Sequence, residues 1–272
     1  MKIALVQMNS TDSVEENLES ASRFIRSAAT SKPDAIFLPE LFSQFGATPQ
    51  QVSALAEPIP SGDLYQAISR LAIETQCCIH AGSVPELADG KVHNTSFVVD
   101  RGGRLIARYR KIHLFTALTE VGRYRESDTF SGGDDLALYD IGKARIGCAI
   151  CFDLRFPELF AQLRRAGADV IALPSAFTSE TGRDHWEPLL RARAIETQSY
   201  VVAAAQTGPY GTPTRYSWGR SLVVDPWGTI CAQADDRPGV LTATLDLEMV
   251  RRLRERMPIE TIRDQRGGLA HV

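Results

Sequence analysis

The chain has 272 residues, 44% of them hydrophobic and 23% charged, with a formal net charge of −3. That is enough apolar material for a substantial core, and the lack of a basic block argues against nucleic acid as the main partner. No apolar run approaches the ~18 residues of a membrane span, and five cysteines suit a reducing, cytoplasmic setting better than a disulfide framework.

In chain order, residues 2–8 read as a strand that starts at once, which leaves no room for a signal peptide. Asp12 and Ser13 can cap a helix whose apolar stripe is Val14, Leu18, Ala21, Ile25 and Ala28. Ala35 to Leu38 reads as a buried strand ending at Pro39-Glu40, and Ser61-Gly62-Asp63 starts a second helix to about Gln76. Cys78 to Val84 is a third strand. Asn94–Val99 and Leu105–Arg110 form a hairpin across Asp100-Arg101-Gly102-Gly103.

Next come a short buried strand, 145–150, and a helix opened by Pro157-Glu158. Val170–Leu173 is a strand, His185–Gln198 a helix and Tyr200–Ala205 a strand. Residues 220–225, 229–234 and 239–245 are strands, Asp246 to about Arg256 is a closing helix, and the last residues are a loose tail. There is no internal repeat or linker, so residues 1–272 are expected to form one α/β domain with helices covering sheets on both sides.

Three strand ends carry reactive side chains: Glu40, Lys111 and Cys151. In open α/β sheets, sites gather at the carboxyl ends of strands. Cys151 falls between a strand and a helix, where a helix N-terminus lowers a thiol's pKa and the Phe152 N–H can donate to an oxyanion. A thiol nucleophile needs a base, which a buried Glu supplies, and a Lys ammonium can hold the developing negative charge. Each of these residues also has a plainer reading, as a buried cysteine or a solvated loop charge.

Cys148 and Cys151 form a Cys-x-x-Cys spacing, but residues three apart on a strand face opposite ways, and no second Cys pair or His-x-His cluster completes a zinc site. No metal is expected, Cys148 reads as a packing residue, and a thiol redox role would need a disulfide the strand geometry forbids. His113 is read as a packing or hydrogen-bonding residue, because a Glu base makes a His base redundant. His185-Trp186 reads equally as a pocket wall or as a packing pair at a helix start. Trp218 and Trp227 read as packing and turn residues.

Taken together, Phe37-Leu38-Pro39-Glu40, Gly82-Ser83-Val84-Pro85-Glu86, Asn94-Thr95-Ser96, Tyr109-Arg110-Lys111-Ile112-His113-Leu114-Phe115, Cys151-Phe152-Asp153-Leu154-Arg155-Phe156-Pro157-Glu158, Arg191-Ala192-Arg193-Ala194-Ile195-Glu196 and Asp225-Pro226-Trp227-Gly228 resemble the carbon–nitrogen hydrolase, or nitrilase-like, superfamily along almost the whole chain. The resemblance implies a four-layer αββα sandwich, a homodimer and a Glu–Lys–Cys triad falling on Glu40, Lys111 and Cys151. It implies a supporting glutamate at Glu126, with Glu120 as the rival, since the segment 116–123 departs from the Asp and Pro-Gly turn that usually follow His-Leu-Phe in related amidases.

The stretch 185–206 is most similar to the deaminated glutathione amidase branch, with the ω-amidases acting on α-keto acid amides close behind. The implied reaction is hydrolysis of a small amide to acid and ammonia through a cysteine thioester, with no cofactor. The alternatives are α-ketoglutaramate hydrolysis, other amide, nitrile or N-carbamoyl hydrolysis, and a non-catalytic scaffold. Substrate contacts are expected from Arg155, Ser175, Phe177, Thr178 and His185. An arginine suits a substrate carboxylate; the other role for Arg155 is an ion pair with Glu158.

Overall fold

The computed structural model describes residues 1–119 and 122–265. Strand β1, Lys2–Gln7, alternates its buried residues between two cores: Ile3 and Leu5 enter one, Ala4 and Val6 the other. That period of two marks a strand covered on both faces. Helix α1, Val14–Ala29, starts at Ser13, whose hydroxyl accepts from the Glu16 N–H. It buries Ala21, Ile25 and Ala28, with Asn17 as a polar member of the same stripe. Strand β2, Ala35–Phe37, runs parallel to β1.

A helix not expected from the sequence, α2, Pro49–Leu55, is closed by a Thr48–Gln51 capping box but buries only Val52. Helix α3, Asp63–Thr75, follows. The expected strand 78–84 is broken into β3, Cys78–His80, and β4, Val84–Ala88. The cause is Gly82: its φ is +44°, and a Cβ there would lie 1.9 Å from the Pro39 carbonyl oxygen. Strands β5, Lys91–Val99, and β6, Leu105–Arg110, form the expected hairpin, although β5 begins earlier than expected.

Strands β7, Thr116–Thr119, and β8, Gly122–Arg125, make a small hairpin, and a 3-10 turn at Glu126–Asp128 precedes β9, Leu138–Ile141. Glu120, the rival supporting glutamate, lies outside the described residues. Strand β10, Ala144–Cys148, runs into a 3-10 helix, Cys151–Arg155, and then α4, Pro157–Arg165. Strand β11, Val170–Ala172, leads to α5, Ser179–Thr197, which begins six residues before His185 because Thr178 caps it.

The remainder is β12, Tyr200–Ala203; the hairpin β13, Thr207–Tyr210, and β14, Thr212–Trp218; β15, Leu222–Val224; β16, Ile230–Gln233; β17, Gly239–Thr244; α6, Leu247–Arg256; and α7, Ile259–Gln265. Helix α7 stands where a loose tail was expected.

The seven-stranded sheet runs β17-β1-β2-β3-β5-β4, with β6 also on β5; the six-stranded sheet runs β16-β15-β12-β11-β10-β9. Ile3, Leu5 and Phe37 of the first sheet meet Tyr139, Ile146 and Cys148 of the second in one core. Residues Ile25 of α1 and Ile68 and Leu71 of α3 cover the outer face of the first sheet. Phe160 of α4 and Trp186 and Leu190 of α5 cover that of the second. The result is the expected four-layer αββα sandwich. In each sheet three central strands are parallel, β1-β2-β3 and β10-β11-β12, so their carboxyl ends, and the residues just past them, lie together.

Candidate active site

Just past β2, β6 and β10, the chain brings Glu40, Lys111 and Cys151 into one pocket with Glu126. All four are buried. The Lys111 ammonium donates to Glu40 Oε1 at 2.8 Å and to Glu126 Oε2 at 2.8 Å and Oε1 at 3.1 Å. The Glu126 Oε2 also accepts from the Phe115 N–H at 2.6 Å. The Glu40 carboxylate lies close enough to the Cys151 thiol to act on it electrostatically.

Two non-glycine residues here adopt left-handed backbone: Cys151 at φ +46° and Leu41 at φ +49°. Such conformations are costly away from glycine and persist where surrounding structure fixes them. For Leu41, the Ser83 hydroxyl accepts its N–H at 2.9 Å. For Cys151, the N–H donates to the Pro174 carbonyl at 3.0 Å. The Cys151 turn is also held by Asp153, fully buried, whose carboxylate accepts from the Ile150 N–H (2.8 Å), the Tyr109 hydroxyl (2.7 Å) and the His113 N–H (3.0 Å). Asp153 therefore ties the Cys151 turn to the segment that carries Lys111. His113 Nδ1 bonds Asp153 at 2.7 Å while its ring stacks on Phe156, centroids 3.6 Å apart, which is a packing and hydrogen-bonding role.

The electrostatics correct one expectation. Burial pushes the Cys151 thiol well above its ordinary range, and the Glu40 carboxylate pushes it further, against the pull of Lys111. A lowered thiol pKa required an exposed position at a helix N-terminus. The thiol is instead buried, and the element that follows is a five-residue 3-10 helix, with α4 beginning only at Pro157. Burial likewise raises Glu40, partly offset by Lys111. For Lys111, burial acts downward, but Glu126 and Glu40 outweigh it and hold the ammonium charged. Cys148 is buried in the core, where burial pushes its thiol up to about 12.

Residues 2–255 match the family model described as carbon-nitrogen hydrolase. The chain belongs to that family. It is 40% identical over 278 residues to a deaminated glutathione amidase of Bos taurus, covering 99% of this chain and 84% of the relative. It is 36% identical over 274 residues to an omega-amidase of Homo sapiens, covering 100% and 97%. Its fold matches the C. elegans NitFhit protein with a TM-score of 0.89 at 38% identity, covering 96% of this chain and 64% of that one.

In this carbon–nitrogen hydrolase the pocket encloses about 760 Å³ of non-protein space, counting its open mouth. Phe152, Arg155, Phe177 and Thr178 line it. Ser175 and His185 do not. The Ser175 hydroxyl is fully buried and donates to the Leu173 carbonyl at 3.2 Å. His185 is exposed well inside α5, and its Nδ1 accepts from Arg155 Nη2 at 3.2 Å. Arg155 does not pair with Glu158; its guanidinium lies over the Phe152 and Phe177 rings, 5.8 and 5.6 Å from their centroids.

Sequence reasoning missed Asn94 as a site residue, and missed Phe45, Tyr210 and Arg215 on the pocket wall. Asn94 stood inside a recognised motif, whereas Tyr210 and Arg215 sit on a hairpin with no core periodicity. Among the described residues neither Arg155 nor Arg215 has a carboxylate partner.

Proposed function

We propose that this carbon–nitrogen hydrolase, acting as a single domain, is an amidase that cleaves a small, carboxylate-bearing amide through a thioester on Cys151. The observation that carries this reading is the buried Lys111 ammonium shared by Glu40 and Glu126 beside the Cys151 thiol. Because the thiol rests protonated, attack on the carbonyl carbon needs Glu40 to take the proton as the S–C bond forms. Lys111 and the Phe152 N–H hold the oxyanion; the first N–H groups of a helical turn have no partner within it. Collapse breaks the C–N bond, and Glu40 returns its proton to the departing nitrogen. Glu40 then deprotonates water, which attacks the thioester, and the acid leaves as Cys151 recovers its proton. Glu126 holds Lys111 in place.

The similarity to a deaminated glutathione amidase supports that substrate class, and the similarity to an omega-amidase supports α-ketoglutaramate as the second reading. The two differ in leaving group. Deaminated glutathione carries a dipeptide on the scissile nitrogen, so its opening releases an amine; the ammonia expected from the sequence applies only to a primary carboxamide. Arg155 and Arg215, without carboxylate partners at one pocket, support a substrate carboxylate. A cytoplasmic homodimer is part of the same proposal; the five free cysteines support the compartment, and light scattering tests the dimer. No described helix is long and apolar enough to cross a membrane.

The experiment compares kcat/KM for deaminated glutathione, α-ketoglutaramate and butyramide, reading acid product, with intact-mass detection of an acyl adduct. The anionic amides should lead by about ten- to a hundredfold, the worth of a charge-assisted contact of roughly 1.5–3 kcal/mol. Arg155→Met and Arg215→Met should erode that lead while sparing butyramide. Equal values for all three amides would remove the carboxylate from the proposal, and no turnover of any amide would remove the amidase.

A further inference from the structure

One buried amide touches both carboxylates of the site and takes no part in the proton transfers of the proposed reaction. Asn94, on β5, is fully buried. Its Nδ2 donates to Glu40 Oε1 at 3.0 Å and to Glu126 Oε1 at 2.8 Å, while its backbone carbonyl accepts the Lys111 backbone N–H at 2.9 Å. The amide can face only one way. Turned over, its Oδ1 would confront two carboxylates. In the orientation it takes, Oδ1 is buried with no partner among the described residues. Buried polar atoms are seldom left so, and a leucine of similar volume would avoid the cost. The position keeps a polar side chain for what its NH₂ group does.

We propose that Asn94 is a positioning residue that fixes the Glu40 carboxylate as the base for Cys151. With Lys111 and Asn94 both donating to Oε1, that oxygen's lone pairs are engaged. Oε2 remains as the oxygen free to take the thiol proton. The same contact stabilises the charged form of Glu40, opposing the burial that raises it. The charged and titratable groups facing Glu40 are Lys111 from beyond β6, Glu126 from the turn after β8 and Cys151 from the turn after β10. The Gln206 amide donates to the Glu40 backbone carbonyl at 3.0 Å and leaves the carboxylate alone.

This inference rests on Glu40 acting as the base, so its test uses a reaction that needs no amide substrate. Alkylation of Cys151 by iodoacetate, which carries no amide, followed by peptide mass spectrometry across pH, reads proton removal from the thiol directly. In Asn94→Ala the pH at which alkylation sets in should rise by about one unit, because a donated hydrogen bond to a carboxylate has been removed. With any amide the enzyme turns over, kcat should fall by about tenfold or more, with KM within about threefold. Asn94→Leu keeps the volume and should show the same shift, which covers the case of a poorly folded alanine variant. A filler role would lower thermal stability and leave the onset unmoved; an unmoved onset in a folded variant overturns the proposal. Failure of the amidase reading is separate: wild-type protein would turn over no amide, yet its alkylation profile would still report on Asn94.

Discussion

At the scale of single residues, two cysteines three apart differ in everything except burial. Cys148 lies among Tyr139, Ile146 and Ala172 in the core between the sheets, whereas Cys151 sits at the pocket floor beside a carboxylate and an ammonium. Cys151→Ala removes the proposed attacking atom and little volume. It should fold normally, keep less than about one-thousandth of wild-type turnover and form no acyl adduct. Cys148→Ala should keep its kcat and lose about 1 kcal/mol of stability, measured by urea unfolding. The reverse pattern would make Cys148 the nucleophile. That Glu40, Lys111 and Cys151 come together was legible in the sequence, because each stands at a strand end within motifs that resemble one family. The proton affinity of Cys151 was not, since it depends on burial and on Glu40, 111 positions away in the chain.

At the scale of elements, most strands of the two sheets were readable from their apolar runs, but β9, which carries Tyr139 into the core, and the elements that build the rim were not. Helix α2 contributes one buried side chain, Val52, and the β13–β14 hairpin contributes pocket wall rather than core, so neither has an apolar period to find. The break between β3 and β4 depends on a contact across the fold, which local sequence does not report. That contact carries a prediction. Any side chain at Gly82 must displace the Pro39 carbonyl, one residue before Glu40. Gly82→Ala is expected to cost about 1–3 kcal/mol and to lower kcat more than it raises KM. Wild-type kinetics in that variant would mean that Glu40 is positioned independently of the Pro39 turn.

At the scale of the whole molecule, the two sheets meet through a core that contains a histidine. His80 on β3 is fully buried, its Nδ1 2.9 Å from the Tyr139 hydroxyl on β9, and burial lowers its pKa to about 3. Unfolded, a histidine takes up its proton near 6.5. Between those two values the unfolded chain binds more protons than the native one, so stability falls as the pH drops from about 6.5 toward 3. This one group contributes a slope of at most about 1.4 kcal/mol per pH unit. Urea unfolding at pH 7, 6, 5 and 4 should show a shallower dependence in His80→Gln than in wild type. Parallel dependences would place the acid sensitivity elsewhere, among the carboxylates. The layering was legible from alternating strands and amphipathic helices, but this histidine between the sheets was not, because its strand shows only as an apolar run.

The protonated state of Cys151 also governs how the protein meets oxidants. Peroxides and most electrophiles attack thiolates, and a cysteine whose proton is held this firmly offers little of that form. In the proposed reaction the sulfur becomes a strong nucleophile as the Glu40 carboxylate takes its proton. Low reactivity at rest is then a consequence of the same burial that makes a base necessary in the proposed reaction.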